Sequence, residues 1–209
     1  MSFPITIVSC VLLVTLVFNI ASAVACLLIR IPVTEFGMGY GRKLLQFRHR
    51  SCRFSLGALP TGGFVAFDLE ALNSRSLLQR LFVVGFGSLA TILSGLLILG
   101  INLGLHYFGN AFTSIISGAL DPLGTGKELV QRFADLSDVS FVKSLGVFFM
   151  VASAYNLIPA RVSTGGRLLA EVSRSWFPAR IARVCDVVGL TAVCLLTIAW
   201  AVAIIAHFL

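Results

Sequence analysis

The sequence predicts an α-helical integral membrane protein with about four transmembrane helices and a small re-entrant β-rich cytoplasmic loop. Three observations carry that expectation. Hydrophobic residues make up 57% of the 209, and charged residues only 12%, about half the charged share of an ordinary soluble domain. Four apolar stretches approach or exceed the roughly 20 residues that cross a bilayer core. One segment between two of them changes to short alternating runs cut by glycine and proline, a pattern of extended backbone. The length suits a single membrane domain over residues 1–209.

The spans are expected at about 3–29, 81–105, 144–158 and 187–209. The first has no charged side chain before Arg30. Ala21-Ser22-Ala23 resembles a signal cleavage site, but no basic residue precedes the apolar run, which is also longer than a signal core. A retained helix is therefore expected. The third span is short and ends in Asn156-Leu157-Ile158-Pro159, where proline breaks the helix.

Charge sets orientation. The first inter-span loop holds eight cations against three anions, net +5; the second holds three against four, net −1; the third, with Asp186 assigned to the start of the last span, holds five against one, net +4. The positive-inside rule places the first and third loops in the cytoplasm and both termini outside. The basic character is thus mainly topological, with anionic lipid headgroups rather than nucleic acid as its natural contact. Of the five cysteines, Cys10, Cys26 and Cys194 lie in apolar spans, Cys185 at the edge of one and Cys52 in the first loop, with no CxxC pair. Buried free thiols are expected.

The loop at about 31–68 is expected to form a small sheet. Val33–Phe36, Leu44–Arg48, Arg53–Leu56 and Phe64–Phe67 read as extended segments, with Gly37, Gly39 and Gly41 permitting tight turns. Non-helical backbone at membrane depth survives only inside protein or along a wet cavity. With a broken third span, this suggests a cleft open to the cytoplasm.

Four stretches in order carry a resemblance: IPVTEFGMGYGRKLLQF, LGALPTGGFVAFD, VVGFGSLATILSGLLI and NLIPARVSTGGRLL. Together they resemble the site-2 protease family of intramembrane zinc metalloproteases. The second matches its P-x-G-G-Y-V stretch. The third is similar to its A-G-P-x-x-N helix, with Ser88 and Thr91 in place of Pro and Asn. The fourth is similar to its N-x-x-P-x-x-x-L-D-G-G motif. The resemblance implies a site-2-protease-like core.

The family's chemistry needs H-E-x-x-H on the first helix, two zinc ligands one turn apart with a general base, and an Asp as third ligand. Ungapped counting from Ile31-Pro32-Val33 puts Phe18 and Ser22 at the two His positions and Asn19 at the Glu. Thr164 falls at the Asp. On that alignment the chain is expected to be a pseudoprotease, not an enzyme, with no metal and no cofactor. Phe18, Asn19, Ser22 and Thr164 would line a vestigial cleft, with Thr164 facing Phe18 or Ser22 and its hydroxyl bonded to nearby backbone. Asn156, Pro159, Gly165, Gly166, Gly62 and Gly63 would shape that cleft. Gly87, Ala90, Thr91 and Ser94 fall on one stripe of small residues, a surface on which another membrane helix could pack.

Other candidates are weaker. His49 and Cys52 lack a third metal ligand. His106 and His207 fall near the expected outer boundaries. Asp186 reads as a cap at the start of the last span. Arg161 and Arg167 flank the Thr164-Gly165-Gly166 turn and read as positive-inside residues.

Three functional readings follow. The first is a structural or assembly subunit that binds another integral membrane protein. The second is a regulator that sequesters substrates of an active intramembrane protease. The third is a hydrolase with an unrecognised site. Expected partners are membrane protein subunits and membrane lipids, with no nucleic acid. The expected location is a bacterial cytoplasmic (inner) membrane.

Overall fold

The computed structural model describes residues 2–160, 163–173 and 179–209, with the side chains of 60, 61 and 179–186 left aside. Arg161 and the side chain of Asp186, both singled out above, lie outside the described residues. The chain divides into two compact units, Ile7–Thr91 and Met1–Thr6 with Ile92–Leu209.

Helix α1, Phe3–Leu28, is an unbroken apolar run with Pro4 in its first turn, where a missing N–H costs nothing. It ends in a Schellman arrangement. Arg30 takes φ 59°, its N–H bonds the carbonyl of Leu27 (3.0 Å), and that of Ile31 bonds Cys26 (2.8 Å). Pro32 then holds the chain extended. The core of this unit gathers Ala25, Cys26, Ile31, Leu72 and Val83, with Val33, Phe67 and Phe86 against them.

Two strands follow, β1 (Val33–His49) and β2 (Cys52–Phe67), paired antiparallel across the Arg50-Ser51 turn. Arg50 has φ 53° there. All four extended segments expected from the sequence lie in these strands, joined two and two. The joints are at Gly39 and Gly41 (φ 74° and 80°) and at Gly62 (φ 148°), backbone that favours glycine.

The pairing is layered. Lys43–His49 pairs with Cys52–Gly57, and Val33–Met38 pairs with Gly63–Phe67. Residues 35–38 also face 53–56 on their other side, residue numbers rising together. The register therefore sets out rows across the sheet. Arg48, Arg53 and Glu35 share one row; Phe47, Phe54 and Phe36 the next; Leu45, Leu56 and Met38 a row two further on. Stacked rings (Phe47–Phe54 centroids 5.1 Å) and Phe36–Phe54 (5.9 Å) bind the aromatic row.

Asp68 caps the short helix α2 (Leu69–Asn73), accepting from the N–H groups of Glu70 and Ala71 at 2.9 and 3.1 Å. Helix α3 runs Leu77–Leu99, starting about one turn and ending nearly two turns earlier than the expected second span. Gly100 (φ 79°) breaks the chain before α4, Ile101–Leu120.

In the other unit, a π-helical turn at Pro122–Gly126 follows α4, then α5 (Lys127–Val139) and α6 (Phe141–Asn156). The N–H and hydroxyl of Thr125 and the N–H of Gly124 bond the Asp121 carboxylate, and hold its pKa below the usual range. After a turn come α7 (Thr164–Ser173) and α8 (Ala179–Phe208). Ala111, Ile115 and Ala154 form the core with Phe108, Phe112, Val151 and Leu196. Trp200 lies over Gly118 and its Nε1 donates to the carbonyl of Ile115 (3.1 Å).

Three described helices are long and apolar enough to cross a membrane: Phe3–Leu28, Leu77–Leu99 and Val187–Phe208. This is an integral membrane protein. Three of the four expected spans thus appear as helices of spanning length among the described residues. The third expected span sits in α6, whose 16 residues reach only about 24 Å at 1.5 Å each, short of a core of about 30 Å.

Candidate functional site

The positions aligned with the family's metal site fall in two places, each within one unit. The first is the 18–22 turn of α1. Asn19 is buried, at 1% exposure. Its Nδ2 donates to the carbonyl of Gly37 (3.1 Å) and lies 3.7 Å from the sulfur of Met38. Gly63 packs where a Cβ would strike both the Asn19 amide and the Gly37 carbonyl. One carboxamide thus bonds α1 to β1, with Gly63 of β2 packed against it. Asn19 precedes the end of α1 by about 14 Å of helix rise, so the sheet meets α1 well inside the helix.

Phe18 and Ser22 face α3. A Cβ on Gly87 would stand 2.5 Å from Ser22 Oγ and 2.9 Å from the Phe18 ring. Ser22 Oγ donates to the carbonyl of Phe18 at 2.8 Å, closing its bond within its own helix. Gly62 lies against the ring of Tyr40, whose hydroxyl donates to the carbonyl of Gly63 (3.1 Å). The small-residue stripe is largely spent inside the fold. Gly87 is against α1, and Thr91 is fully buried with its hydroxyl on the carbonyl of Ser88 (2.8 Å). Ala90 and Ser94 are half-buried and also make contacts. An open stripe for a partner helix is corrected accordingly.

The second place is the turn before α7. Asn156 ends α6 half-buried, and Pro159 is exposed. Thr164 is buried and opens α7. The hydroxyl that ties the turn belongs to its neighbour, a correction to the role expected of Thr164. Ser163 Oγ lies against the carbonyls of Ile158 and Ala160 (2.7 Å to the latter) and accepts from the N–H of Gly166 (3.3 Å), an N-cap bond. Gly165 rests on the backbone of Leu157, leaving no room for a Cβ. Gly189 of α8 packs against Pro159 and Ala160.

Ser163 was readable as a cap, being a serine just before a glycine-rich helix start. Gly37 carried a weaker signal, a strand glycine where another group approaches closely. His49 and Cys52 pair directly across the hairpin turn. Burial first, then the Glu35 carboxylate, raises the Cys52 thiol pKa, which makes it a poorer thiolate.

The sheet also offers an open edge and a hollow. Gly63–Phe67 pairs on one side only among the described residues. On the apolar face, a cavity of about 250 Å³ is lined by Phe36, Met38, Leu45, Phe47, Phe54 and Leu56.

The profile of Peptidase family M50 matches residues 7–197. A Synechocystis protein named "Putative zinc metalloprotease" is 32% identical over 74 residues, 30% of this chain and 20% of that protein. A Clostridium perfringens protein of the same description is 30% identical over 95 residues, 41% of this chain and 28% of that protein. The chloroplastic membrane metalloprotease ARASP of Arabidopsis thaliana is 33% identical over 75 residues, 30% of this chain and 17% of that protein. The matches thus span less than a third of each relative's length.

Zinc is the metal those names imply. The aligned positions offer it a phenyl ring, a carboxamide whose N–H₂ is spent on Gly37, and two hydroxyls, in place of imidazole and carboxylate donors. Among the described residues no three His, Cys, Asp or Glu side chains stand together as a ligand set. These residues do not fit zinc. The expectation that the chain is not an enzyme is nevertheless overturned by the comparisons. The matching family is a peptidase family, and the relatives are named as metalloproteases. Substitution at four aligned positions describes those positions and does not demonstrate inactivity. The ordered motifs and a profile match over most of the length agree that the chain belongs to Peptidase family M50, the site-2 protease family.

Proposed function

We propose that this membrane protein engages extended segments of other integral membrane proteins along the Gly63–Phe67 edge of its sheet. The single observation behind this is that the edge is paired on one side only among the described residues, with its Gly63 end packed against Asn19 of α1. Unpaired strand groups accept an extended peptide by strand addition, with main-chain bonds supplying affinity. The depth of the Asn19 contact along α1 supports reading the sheet as re-entrant, so the peptide would be a membrane-adjacent stretch. As a subunit the chain would hold such a partner stably; as a regulator it would hold it transiently.

The test places a photo-crosslinking residue at Val65 of the full chain in native membranes. Discrete protein adducts are expected, fewer when Gly63→Val disturbs the edge. Adducts to lipid alone would end this reading. Stoichiometric partners favour the subunit, and exchanging clients the regulator.

A second reading is favoured by the relatives' names: hydrolysis of the captured segment, by a site that the aligned positions do not reveal. Incubating the chain in nanodiscs with a single-span membrane peptide, with and without a zinc chelator, tests it. Chelator-sensitive cleavage supports it, and an uncut peptide counts against it.

The proposed location is a bacterial cytoplasmic membrane; with the short α6 taken as a fourth crossing, the loop charges of +5, −1 and +4 support both termini outside. In a Cys52→Ser background, an impermeant thiol reagent added outside should label Asp138→Cys and spare Glu70→Cys. The reverse pattern inverts the topology.

A further inference from the structure

Helix α4 is not one of the helices apolar enough to cross a membrane, yet it packs on one that is, at Leu196 and Trp200 of α8. Its neighbours fix how it lies. Tyr155, near the end of α6, reaches α8 between Val193 and Thr197, its hydroxyl 2.6 Å from Thr197 Oγ. Just past the end of α6, Pro159 and Ala160 pack on Gly189. α6 therefore runs antiparallel to α8, and Met150, five residues before Tyr155, stands near the level of Trp200.

Near its start α4 meets that level. A Cβ on Gly104 would stand 3.3 Å from Met150 Cε and 3.4 Å from the Cα of Leu96, and Gly95 itself packs on Met150. Near its end α4 meets the same level again. Gly118 lies against the Trp200 ring, whose Nε1 donates to the carbonyl of Ile115 (3.1 Å). Gly104 and Gly118 are about 21 Å apart along the helix axis. α4 therefore crosses α6 and α8 instead of running beside them. Helix α5 marks where water begins. Its Lys127, Glu128, Gln131, Arg132, Asp135 and Asp138 are exposed. Its Phe133 packs with Phe148 (ring centroids 6.0 Å) and Phe3 (6.2 Å), and Phe3 meets His207 (5.0 Å) beside the end of α8. That end, Phe208, is about 12 Å of helix beyond Trp200. α4 thus lies just inside the boundary between water and hydrocarbon.

The side chains of α4 sort into three stripes. Gly104, Ala111, Ile115 and Gly118 are buried. Beside them Ile101, Leu105, Ile116 and Leu120 are apolar and between 53% and 82% exposed. Beyond those, His106, Asn110, Thr113 and Ser117 recur at helical spacing and are exposed. Asn110 Nδ2 is 3.0 Å from His106 Nε2, and the hydroxyls of Thr113 and Ser117 bond the carbonyls of Asn110 and Ser114. Of the exposed apolar side chains only Leu103, in the first turn, falls outside the apolar stripe. The helix contains no Asp, Glu, Lys or Arg.

We propose that α4 lies in the membrane plane, in the leaflet that meets the C-terminal end of α8. Ile101, Leu105, Ile116 and Leu120 then sit among acyl chains, with His106, Asn110, Thr113 and Ser117 toward the headgroups. An amphipathic helix rests this way because its apolar face gains burial while its polar face keeps its water. With no charged side chain, apolar area alone holds it there, so the headgroup charge of the lipid is immaterial. A partner helix would need small residues to approach closely. Those of the buried stripe, Gly104, Ala111 and Gly118, are spent on α3, α6 and α8. The placement is independent of the peptide reading, which concerns the other unit.

The test uses the full chain in nanodiscs, carrying one added tryptophan at a time, with the wild-type emission subtracted. Leu105→Trp and Ile116→Trp should lose most of their added emission to phospholipid brominated midway along its acyl chains, and little to acrylamide in the water. Asn110→Trp and Ser117→Trp should show the reverse. The pattern should be the same in phosphatidylcholine and phosphatidylglycerol discs. Bromine quenching at all four positions would mean a helix surrounded by acyl chains, and acrylamide quenching at all four a helix off the membrane. Protection of 105 and 116 from both quenchers would mean that protein covers them. Each of these results overturns the proposal, as does a pattern seen in phosphatidylglycerol alone.

A second measurement needs no substitution. Hydroxyl-radical footprinting of the wild-type chain in the same discs, each side chain normalised to the denatured chain, should oxidise His106 and spare Ile116 and Leu120. Oxidation of Ile116 and Leu120 with His106 spared, or equal oxidation of all three, rejects the in-plane placement.

Discussion

The 18–22 turn of α1 and the 158–166 turn before α7 both carry residues aligned with family zinc ligands, yet they are held together by different means. On α1 the bonds and contacts reach far along the chain. Asn19 grips residue 37, Gly63 packs on residue 19, and Gly87 packs on Phe18 and Ser22. At the second turn the polar bonds among the described residues stay within a few residues, from Ser163 to Ile158, Ala160 and Gly166, with Gly165 on Leu157, and the one far contact is the packing of Gly189 on Pro159 and Ala160. The two aligned places therefore set different structural tasks. A place between elements needs a cross-link, and Asn19, at the aligned general-base position, supplies one. A turn needs only a cap, and the residue beside the aligned position can supply it.

Four substitutions would break or sharpen that contrast. The largest effect should come from Gly165→Ala, because the added Cβ meets the Leu157 backbone, which cannot rotate aside. A loss of about 3 kcal/mol is expected in thermal or denaturant unfolding of the solubilised chain. A neutral result would mean that α7 shifts freely on α6, and the second turn would not be a rigid clasp.

Asn19→Leu should cost about 2 kcal/mol, since it buries the Gly37 carbonyl without its donor. The same variant should increase hydrogen exchange at residues 37 and 38. Unchanged exchange there would remove the cross-link from the account. Ser163→Ala should cost about 1 kcal/mol, the usual value of an N-cap, with increased exchange confined to the first turn of α7. Ser22→Ala should cost only a few tenths of a kcal/mol, since its hydroxyl bonds its own helix. If Ser22→Ala proved as damaging as Asn19→Leu, the division between cross-linking and self-satisfied side chains on α1 would fail.

The two places also differ in how much the sequence disclosed. The second turn was legible: Asn156, Pro159 and the paired glycines mark a helix stop and a restart, and the structure ends α6 at Asn156 and opens α7 at Thr164. Its one misreading, the choice of Thr164 over Ser163 for the hydroxyl bond, arose because the family alignment drew attention to the aligned residue. At α1 the alignment named Asn19 but not its partner. Nothing local to Gly37 says that its carbonyl is the one a buried amide will find. The stripe on α3 was misjudged for a related reason. Small residues signal a close approach but do not say whether the neighbour is a foreign helix or α1 of the same chain.

The sequence by itself determined the membrane character, the long apolar spans, the four extended segments and the order of family motifs. Those depend on hydropathy, periodicity and turn residues within windows of about 20 residues, where near neighbours in the chain are near neighbours in space. The tertiary structure decided the rest. It joined four segments into two bent strands, put residues 53–56 beside 35–38, chose Gly37 for Asn19 and aimed Gly87 at Phe18. Each of the last three pairs groups separated by 18 residues or more. A one-residue slip of register would turn every strand side chain to the other face, so the choice is made by the packing of the whole unit and not by any single stretch.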